Sequence, residues 1–183
     1  MTSTRRSAAA VLLALASGSA LADSLDINLH DEAMRATFAH TVNPGTEWDV
    51  GHLFNDDNDS VTHVGMHVSG ENWSRAGIFD IGLGGRALWV RSDADDEGAI
   101  ALGVRVRFSP VHRLGIGGEF YHAPDIIAFG DAESYTEASL RLDYQVLPKA
   151  LVYVGYRNIE MDFEGVSDVE LEDDFHVGMK LLW

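Results

Sequence analysis

Apolar and polar residues alternate along the stretch from 173 to 183. Every second position there is apolar or aromatic, namely Phe175, Val177, Met179, Leu181 and Trp183. A period of two predicts a β-strand whose two faces have different surroundings. Because so apolar an edge strand would promote aggregation of a soluble protein, the pattern favours a barrel strand whose apolar face contacts lipid. A terminal strand of a soluble sandwich is the alternative.

The same alternation predicts nine strands before this one. They cover residues 24–31, 34–42, 48–54, 61–69, 79–90, 99–108, 114–123, 134–145 and 150–159. With the closing strand they predict an all-β fold, an antiparallel up-and-down transmembrane β-barrel of ten strands. Eight strands are the alternative count, since the first two segments are short and the second is poorly patterned.

The predicted connections alternate in length and composition. Short turns carry Pro44, Pro110 and Pro148, and Pro110 is expected to end its strand. A turn or linker is predicted at 70–77, and a longer loop at 124–133. Acidic loops carry DDND at 56–59 and DADDE at 93–97, and the longest is predicted at 160–174. Outer-membrane barrels show this asymmetry between periplasmic turns and external loops, so both termini are expected in the periplasm.

Aromatic residues fall near the two ends of the predicted strands and on their apolar faces. We expect two interfacial girdles, as in outer-membrane barrels. The turn-side set is Trp48, Phe79, Phe108, Tyr144 and Trp183, and the loop-side set is Phe54, Trp89, Tyr156 and Phe175.

Composition and the start of the chain narrow the class of protein. The 183 residues include no cysteine and carry a formal net charge of −16, which argues against nucleic-acid binding. Arg5 and Arg6, the apolar run 8–16 and the small-x-small site at 20–22 predict a secretory signal peptide at 1–22, cleaved near Ala22. We therefore expect one barrel domain at 23–183 in a bacterial outer membrane, contacting its lipid and lipopolysaccharide.

The predicted inward faces carry charges of both signs. Unpaired charges inside a narrow barrel are costly, so we expect an ion-pair network that fills the lumen. Its predicted members are Asp80, Arg86, Arg105, Arg107, Glu119, Glu137, Arg141, Asp143, Arg157 and Lys180. A ten-strand barrel is small enough for side chains to occupy most of the interior. The expected function is structural, or a very narrow solute path, and not that of an enzyme.

Two other function classes stay open. Asp49, His67 and Ser69 are predicted to face inward together, with Asp49 opposite His67, and such a group can serve a lipid-active hydrolase. No nucleophile elbow accompanies them. The acidic loops suggest a surface adhesin or a cation-bridged contact with lipopolysaccharide. None matches the spacing of a dedicated calcium loop, so no metal site and no cofactor are predicted.

Three segments resemble a known family. They read YHAPD at 121–125, DAESYTEASLRLDYQV at 131–146 and VYVGYRNIEM at 152–161. They resemble the YfaZ family of Gram-negative outer-membrane proteins. The resemblance implies a small, porin-like outer-membrane barrel of no established activity, and supplies no catalytic residues. Resemblance to outer-membrane barrels also implies that the closing strand, ending at Trp183, is recognised by the barrel assembly machinery.

Overall fold

The strands of the barrel account for most of the chain. The computed structural model describes residues 23–31, 33–56, 59–91, 96–124, 128–129, 132–163 and 166–183, so the predicted signal peptide lies outside the described residues. The strands are β1 Ser24–Leu29, β2 Ala33–Asn43, β3 Thr46–Asn55, β4 Ser60–Ser74, β5 Gly77–Arg91, β6 Asp96–Val111, β7 Leu114–Ala123, β8 Ala128–Phe129, β9 Ala132–Leu147, β10 Ala150–Phe163 and β11 Val166–Leu182.

Ten of these strands form a closed ring in the described part of the chain. The ring runs in chain order, with each strand antiparallel to the next, except that β7 pairs directly with β9. β11 then pairs with β1, which closes it. β8 is a two-residue strand that pairs with β6. The predicted up-and-down barrel of ten strands is confirmed, and the eight-strand alternative is wrong.

One end of the barrel, which we call the turn end, carries two-residue turns. They lie at Pro44–Gly45, Arg75–Ala76, His112–Arg113 and Pro148–Lys149. Gly45 has a φ of 85°, a left-handed conformation that glycine adopts without steric cost directly after a proline. The opposite end, the loop end, carries the connections predicted to be longer.

Several strands are longer than the sequence predicts. In place of a linker at 70–77, β4 continues to Ser74 and β5 begins at Gly77. In place of a loop at 160–174, β10 continues to Phe163 and β11 begins at Val166. The segment 124–133 likewise contains β8 and the start of β9. Backbone pairing with a neighbouring strand stabilises an extended segment whose own sequence is polar, so the alternation of apolar residues underestimates strand length.

Pro110 does not end its strand as predicted. β6 runs through it to Val111, and the register with β7 shifts between Phe108 and Val111. Proline lacks a backbone N–H, and an irregularity of this kind is where a strand tolerates it.

The outward face of the barrel is apolar. On β5 the side chains of Ile81 and Leu83 are exposed, and on β9 those of Leu140 and Leu142 are exposed. Their neighbours of opposite parity point into the lumen, as the period of two requires. An apolar outer surface on a closed barrel is the condition for spanning a bilayer with strands. Among the described residues, no helix is long and apolar enough to cross a membrane.

The seam between β1 and β11 is short. It joins six residue pairs, from Ser24 with Leu182 to Leu29 with Val177, whereas β4 and β5 share fifteen. Beside the seam, the backbone N–H of Thr41 donates to Oδ2 of Asp23 at 2.6 Å. This hydrogen bond is the main reason that the pKa of the Asp23 carboxyl lies below its usual value.

Candidate functional site

The loop end of the lumen is filled by apolar side chains, which we call the apolar plug. Leu53 lies two residues before the end of β3, and Ala123 is the last residue of β7. Every member is at most 2% exposed: Leu53, Val61, Leu88, Val90, Ala99, Ala101, Tyr121, Ala123, Tyr135, Ile159 and Met161. All of them lie on inward positions near the loop ends of their strands, so together they pack that end of the lumen with apolar side chains.

A buried carboxylate, Glu137, lies directly below the plug at the centre of an ion network. Its oxygens lie 2.6 Å from Arg35 Nη1 and 3.3 Å from Arg86 Nη1. The hydroxyl of Tyr135, a plug residue, donates to Glu137 at 2.8 Å. Arg157 lies 3.9 Å from Glu137 and 3.0 Å from Glu172. The plug and the charged layer are thus joined by hydrogen bonding as well as by packing.

The network continues toward the turn end through two further arginines. Arg86 Nη2 lies 3.0 Å from Glu119, and Arg105 Nε lies 3.4 Å from the same carboxylate. Arg105 Nη1 also donates to Glu47 at 3.1 Å. We call the connected set the central ion network. Its members are Arg35, Glu47, Asp49, Arg86, Arg105, Glu119, Glu137, Arg157 and Glu172.

Asp49 connects two histidines to this network. Its oxygens lie 3.0 Å from His63 Nε2 and 2.8 Å from His67 Nδ1. None of these four atoms has a hydrogen bond of good geometry in the described structure, so the contacts are close but poorly aligned. The other nitrogen of His67, Nε2, lies 2.7 Å from the hydroxyl oxygen of Tyr121. All four side chains are nearly fully buried.

The turn-end half of the lumen is a polar chamber. A cavity of about 260 Å³ lies there. Arg107 makes a bidentate contact with Asp143, at 3.1 and 2.5 Å, and is 37% exposed at its side chain. Arg141 lies 3.5 Å from Asp26 and is also partly exposed. The arginine side chains are therefore more exposed near the turn end than below the plug.

Eight of the ten residues predicted for the lumen network lie in ion pairs within 4 Å. The other two, Asp80 and Lys180, line the cavity and have no ion pair at that distance among the described residues. Charged lumen residues that the network prediction missed are Asp26, Arg35, Glu47, Asp49 and Glu172. Inward parity on β1, β2 and β3 could have identified the first four. Glu172 could not be found because its segment was predicted to be a loop.

The residues of the hydrolase alternative do not assemble as predicted. Glu47, not Asp49, is the register partner of His67. Asp49 still reaches His67 diagonally, but His67 Nε2 contacts Tyr121, and no hydrogen bond joins His67 to Ser69 among the described residues. A serine nucleophile of the triad type is hydrogen-bonded to an imidazole.

The predicted aromatic girdles lie on the outward face. Seven of their nine members have large exposed side chains: Trp48, Phe79, Trp89, Tyr144, Tyr156, Phe175 and Trp183. Phe54 and Phe108 are half-buried. Tyr156 and Phe175 pair across β10 and β11, with ring centroids 5.3 Å apart.

The three acidic stretches differ in how much of each the structure describes. Part of DDND and most of DADDE lie outside the described residues, so a cation-bridged contact there stays a prediction. The third stretch, 168–174, lies on β11. There Glu172 is buried in the central ion network, and Asp174 lies 2.6 Å from His30 Nε2 near the loop end of β1.

Comparison with known proteins agrees with the barrel fold. A family model described as YfaZ precursor matches residues 2–183. A solved KdgM porin is similar with a TM-score of 0.51 and 12% identity, covering 87% of this chain and 98% of the porin. The KdgM porin in complex with disordered oligogalacturonate is similar with a TM-score of 0.50 and 11% identity, over the same shares. A search of curated proteins finds no match. At these identities the porins show a shared fold and nothing more.

Proposed function

The chain belongs to the YfaZ family, and we propose that it is an outer-membrane barrel whose lumen is closed at the loop end. Its role is then structural, or that of a very narrow solute path, and not that of an open porin or an enzyme. The chamber faces the periplasm, because the turn end carries the short turns, the first residue of β1 and the last residue of β11.

The observation that carries this proposal is the apolar plug above the central ion network. Large barrels keep an aqueous channel, whereas small barrels fill their interior with side chains. Here Tyr121, Tyr135 and Met161 are at most 1% exposed, so water does not reach them from either end. An ion that crossed the lumen would have to displace both the plug and the buried charge pairs.

Planar bilayer recording tests the proposal. We expect the purified protein to show no steady conductance, because in the described part of the barrel the apolar plug separates the chamber from the loop end. Truncating the plug with Ile159→Ala and Met161→Ala together should produce intermittent current. A large, stable, weakly selective current from the wild-type protein would overturn the closed-lumen proposal and favour a porin-like channel.

The location in the outer membrane has independent support. The exposed apolar side chains on the outer face require a bilayer, and the fold shared with porins is compatible with a bilayer location. We further propose that residues 1–22 are removed as a signal peptide near Ala22 and that the barrel domain spans 23–183. Its outer surface then contacts outer-membrane lipid and lipopolysaccharide.

The closing strand β11 is proposed as the segment that the barrel assembly machinery recognises. Trp183 follows it, is about half exposed, and its backbone N–H donates to the carbonyl of Asp23 at 3.1 Å. Deleting Trp183 should lower the yield of heat-modifiable barrel in the outer membrane. An unchanged yield in that gel assay would contradict this role.

A further inference from the structure

Three metal-binding side chain types meet on one wall of the chamber, although the sequence predicts no metal site. Glu47 and Asp49 point inward from β3, and His67 points inward from β4 as the register partner of Glu47. One ligand atom from each lies within 4.8 Å of the other two. We propose that Glu47, Asp49 and His67 bind one divalent transition-metal ion, with Zn²⁺ as the probe.

The geometry of Asp49 and His67 is the first support. Both side chains are about 97% buried, yet neither oxygen of Asp49 nor Nδ1 of His67 has an aligned hydrogen bond in the described structure. Buried polar atoms are rarely left in this state. In a tetrahedral site, ligand distances of about 2.0–2.2 Å to Zn²⁺ place neighbouring ligand atoms about 3.3–3.6 Å apart. Asp49 Oδ2 and His67 Nδ1 lie 2.8 Å apart, so binding an ion between them requires only a small separation of the two side chains.

The opposite nitrogen of His67 is the second support. Nε2 lies 2.7 Å from the Tyr121 hydroxyl oxygen. If Nε2–H donates to that oxygen, Nδ1 presents a lone pair to the two carboxylates. Metal-bound imidazoles are commonly oriented by such a hydrogen bond from their other nitrogen. The Arg86 guanidinium, 3.8 Å above the Tyr121 ring centroid, holds the tyrosine in place.

Two guanidiniums compete with a metal ion for these carboxylates. Arg105 Nη1 lies 3.1 Å from Glu47, and Arg86 Nε lies 3.9 Å from Asp49. The central ion network nevertheless holds five carboxylates against four guanidiniums, so it carries one surplus negative charge when both imidazoles are neutral. The net negative charge of the central ion network therefore favours the binding of a cation.

The ligand types and the access route narrow the choice of ion. An imidazole beside carboxylates suits Zn²⁺ and neighbouring transition metals, whereas Mg²⁺ and Ca²⁺ favour all-oxygen sites. Glu47, partly exposed, and His67 both line the turn-end cavity, so an ion can enter from the periplasmic side. Binding at this wall is independent of whether the barrel conducts, and the inference stands apart from the closed-lumen proposal.

The test uses untagged, folded barrel in detergent. Calorimetric titration with Zn²⁺ should show one equivalent bound, and Co²⁺ should give a visible absorption band that Zn²⁺ displaces. Glu47→Gln, His67→Gln and Asp49→Asn should each weaken binding by at least about tenfold. Glu47→Gln is the main variant because its side chain is the least buried of the three, and heat-modifiability on a gel reports whether each variant is folded.

The matched control is His176→Gln, which removes another buried lumen imidazole. His176 lines the same cavity, packs edge-on against Tyr153 on β10 and is not one of the three proposed ligands, so its loss should leave Zn²⁺ affinity unchanged. Absence of a stoichiometric Zn²⁺ or Co²⁺ signal in the wild-type protein would overturn the proposal. Equal affinity in wild type and Glu47→Gln, or an equal loss in His176→Gln and His67→Gln, would overturn it as well.

Discussion

The two halves of the lumen are built on the same strands but hold their polar groups in different ways. At the loop end, Glu137 and Arg35 are almost fully buried beneath the apolar plug, and each is held by direct contacts. At the turn end, Arg107 is 37% exposed beside the cavity. Charges are paired in both halves, and in the turn-end half the arginines are in addition partly exposed to solvent.

This difference has an energetic consequence. In the buried half, removing one partner leaves a nearly fully buried charge without its counterion, which is far costlier than the same loss near solvent. In the chamber, water replaces the missing partner. The same chemical substitution should therefore have different effects on stability in the two halves.

The largest effect is expected from Glu137→Gln. Arg35 has no other carboxylate within 4 Å among the described residues, and Arg86 and Arg157 each lose one partner. Breaking a buried pair in this way costs about 3–5 kcal/mol. Urea unfolding of the refolded barrel in lipid vesicles measures the loss.

Asp143→Asn is the matched change in the chamber. Its partner Arg107 is partly exposed, so we expect a loss of about 1 kcal/mol. If both variants lost the same free energy, the two halves would be equally hydrated and the comparison would fail.

The next largest effect tests which side chains face the lumen at all. Leu140 is 60% exposed on the outer face, and Leu140→Arg should cost about 2–4 kcal/mol because a charge then meets lipid. Ser139 lies one residue away and lines the cavity beside Glu119, its register partner on β7, and Ser139→Arg is the matched change on the inward face. Equal losses in a vesicle unfolding titration would show that the assignment of faces on β9 is wrong.

An effect smaller than that of Leu140→Arg, but at least as large as that of Asp143→Asn, is expected for Arg105→Gln combined with Arg107→Gln. These changes leave Glu47 and Asp143 short of a cation, while Glu119 keeps Arg86. We expect a loss of about 1–2 kcal/mol, between the values for exposed and buried pairs. The midpoint of urea unfolding measures it. A loss as large as that of Glu137→Gln would mean that water does not enter the chamber.

The sequence predicts the ring well because each barrel strand follows a period of two. Where alternation is strong, as in 79–90 and 99–108, the predicted segments lie inside β5 and β6. Strand ends were predicted less well. The stretch 160–174 is rich in acidic residues, and pairing between β10 and β11 shows that it is extended.

The interior was harder to predict than the ring. Parity identifies which residues face inward, and Arg86, Glu119 and Glu137 were found in this way. Parity does not give register, so Asp49 was placed opposite His67 instead of Gly65. It also does not show that inward apolar residues such as Leu53 and Ile159 collect at one end, because that depends on how ten strands are staggered around the ring.

The short seam between β1 and β11 has a consequence for the order of folding events. Residues about 150 positions apart must meet there, so the search for this pairing is the costliest in chain entropy. Every other pair in the ring joins strands that follow one another along the chain, with only the two-residue β8 between β7 and β9, and hairpins of that kind can form locally. The lumen is therefore enclosed only when the first and last strands, β1 and β11, pair. Until then both strands have a free edge that can pair with another chain.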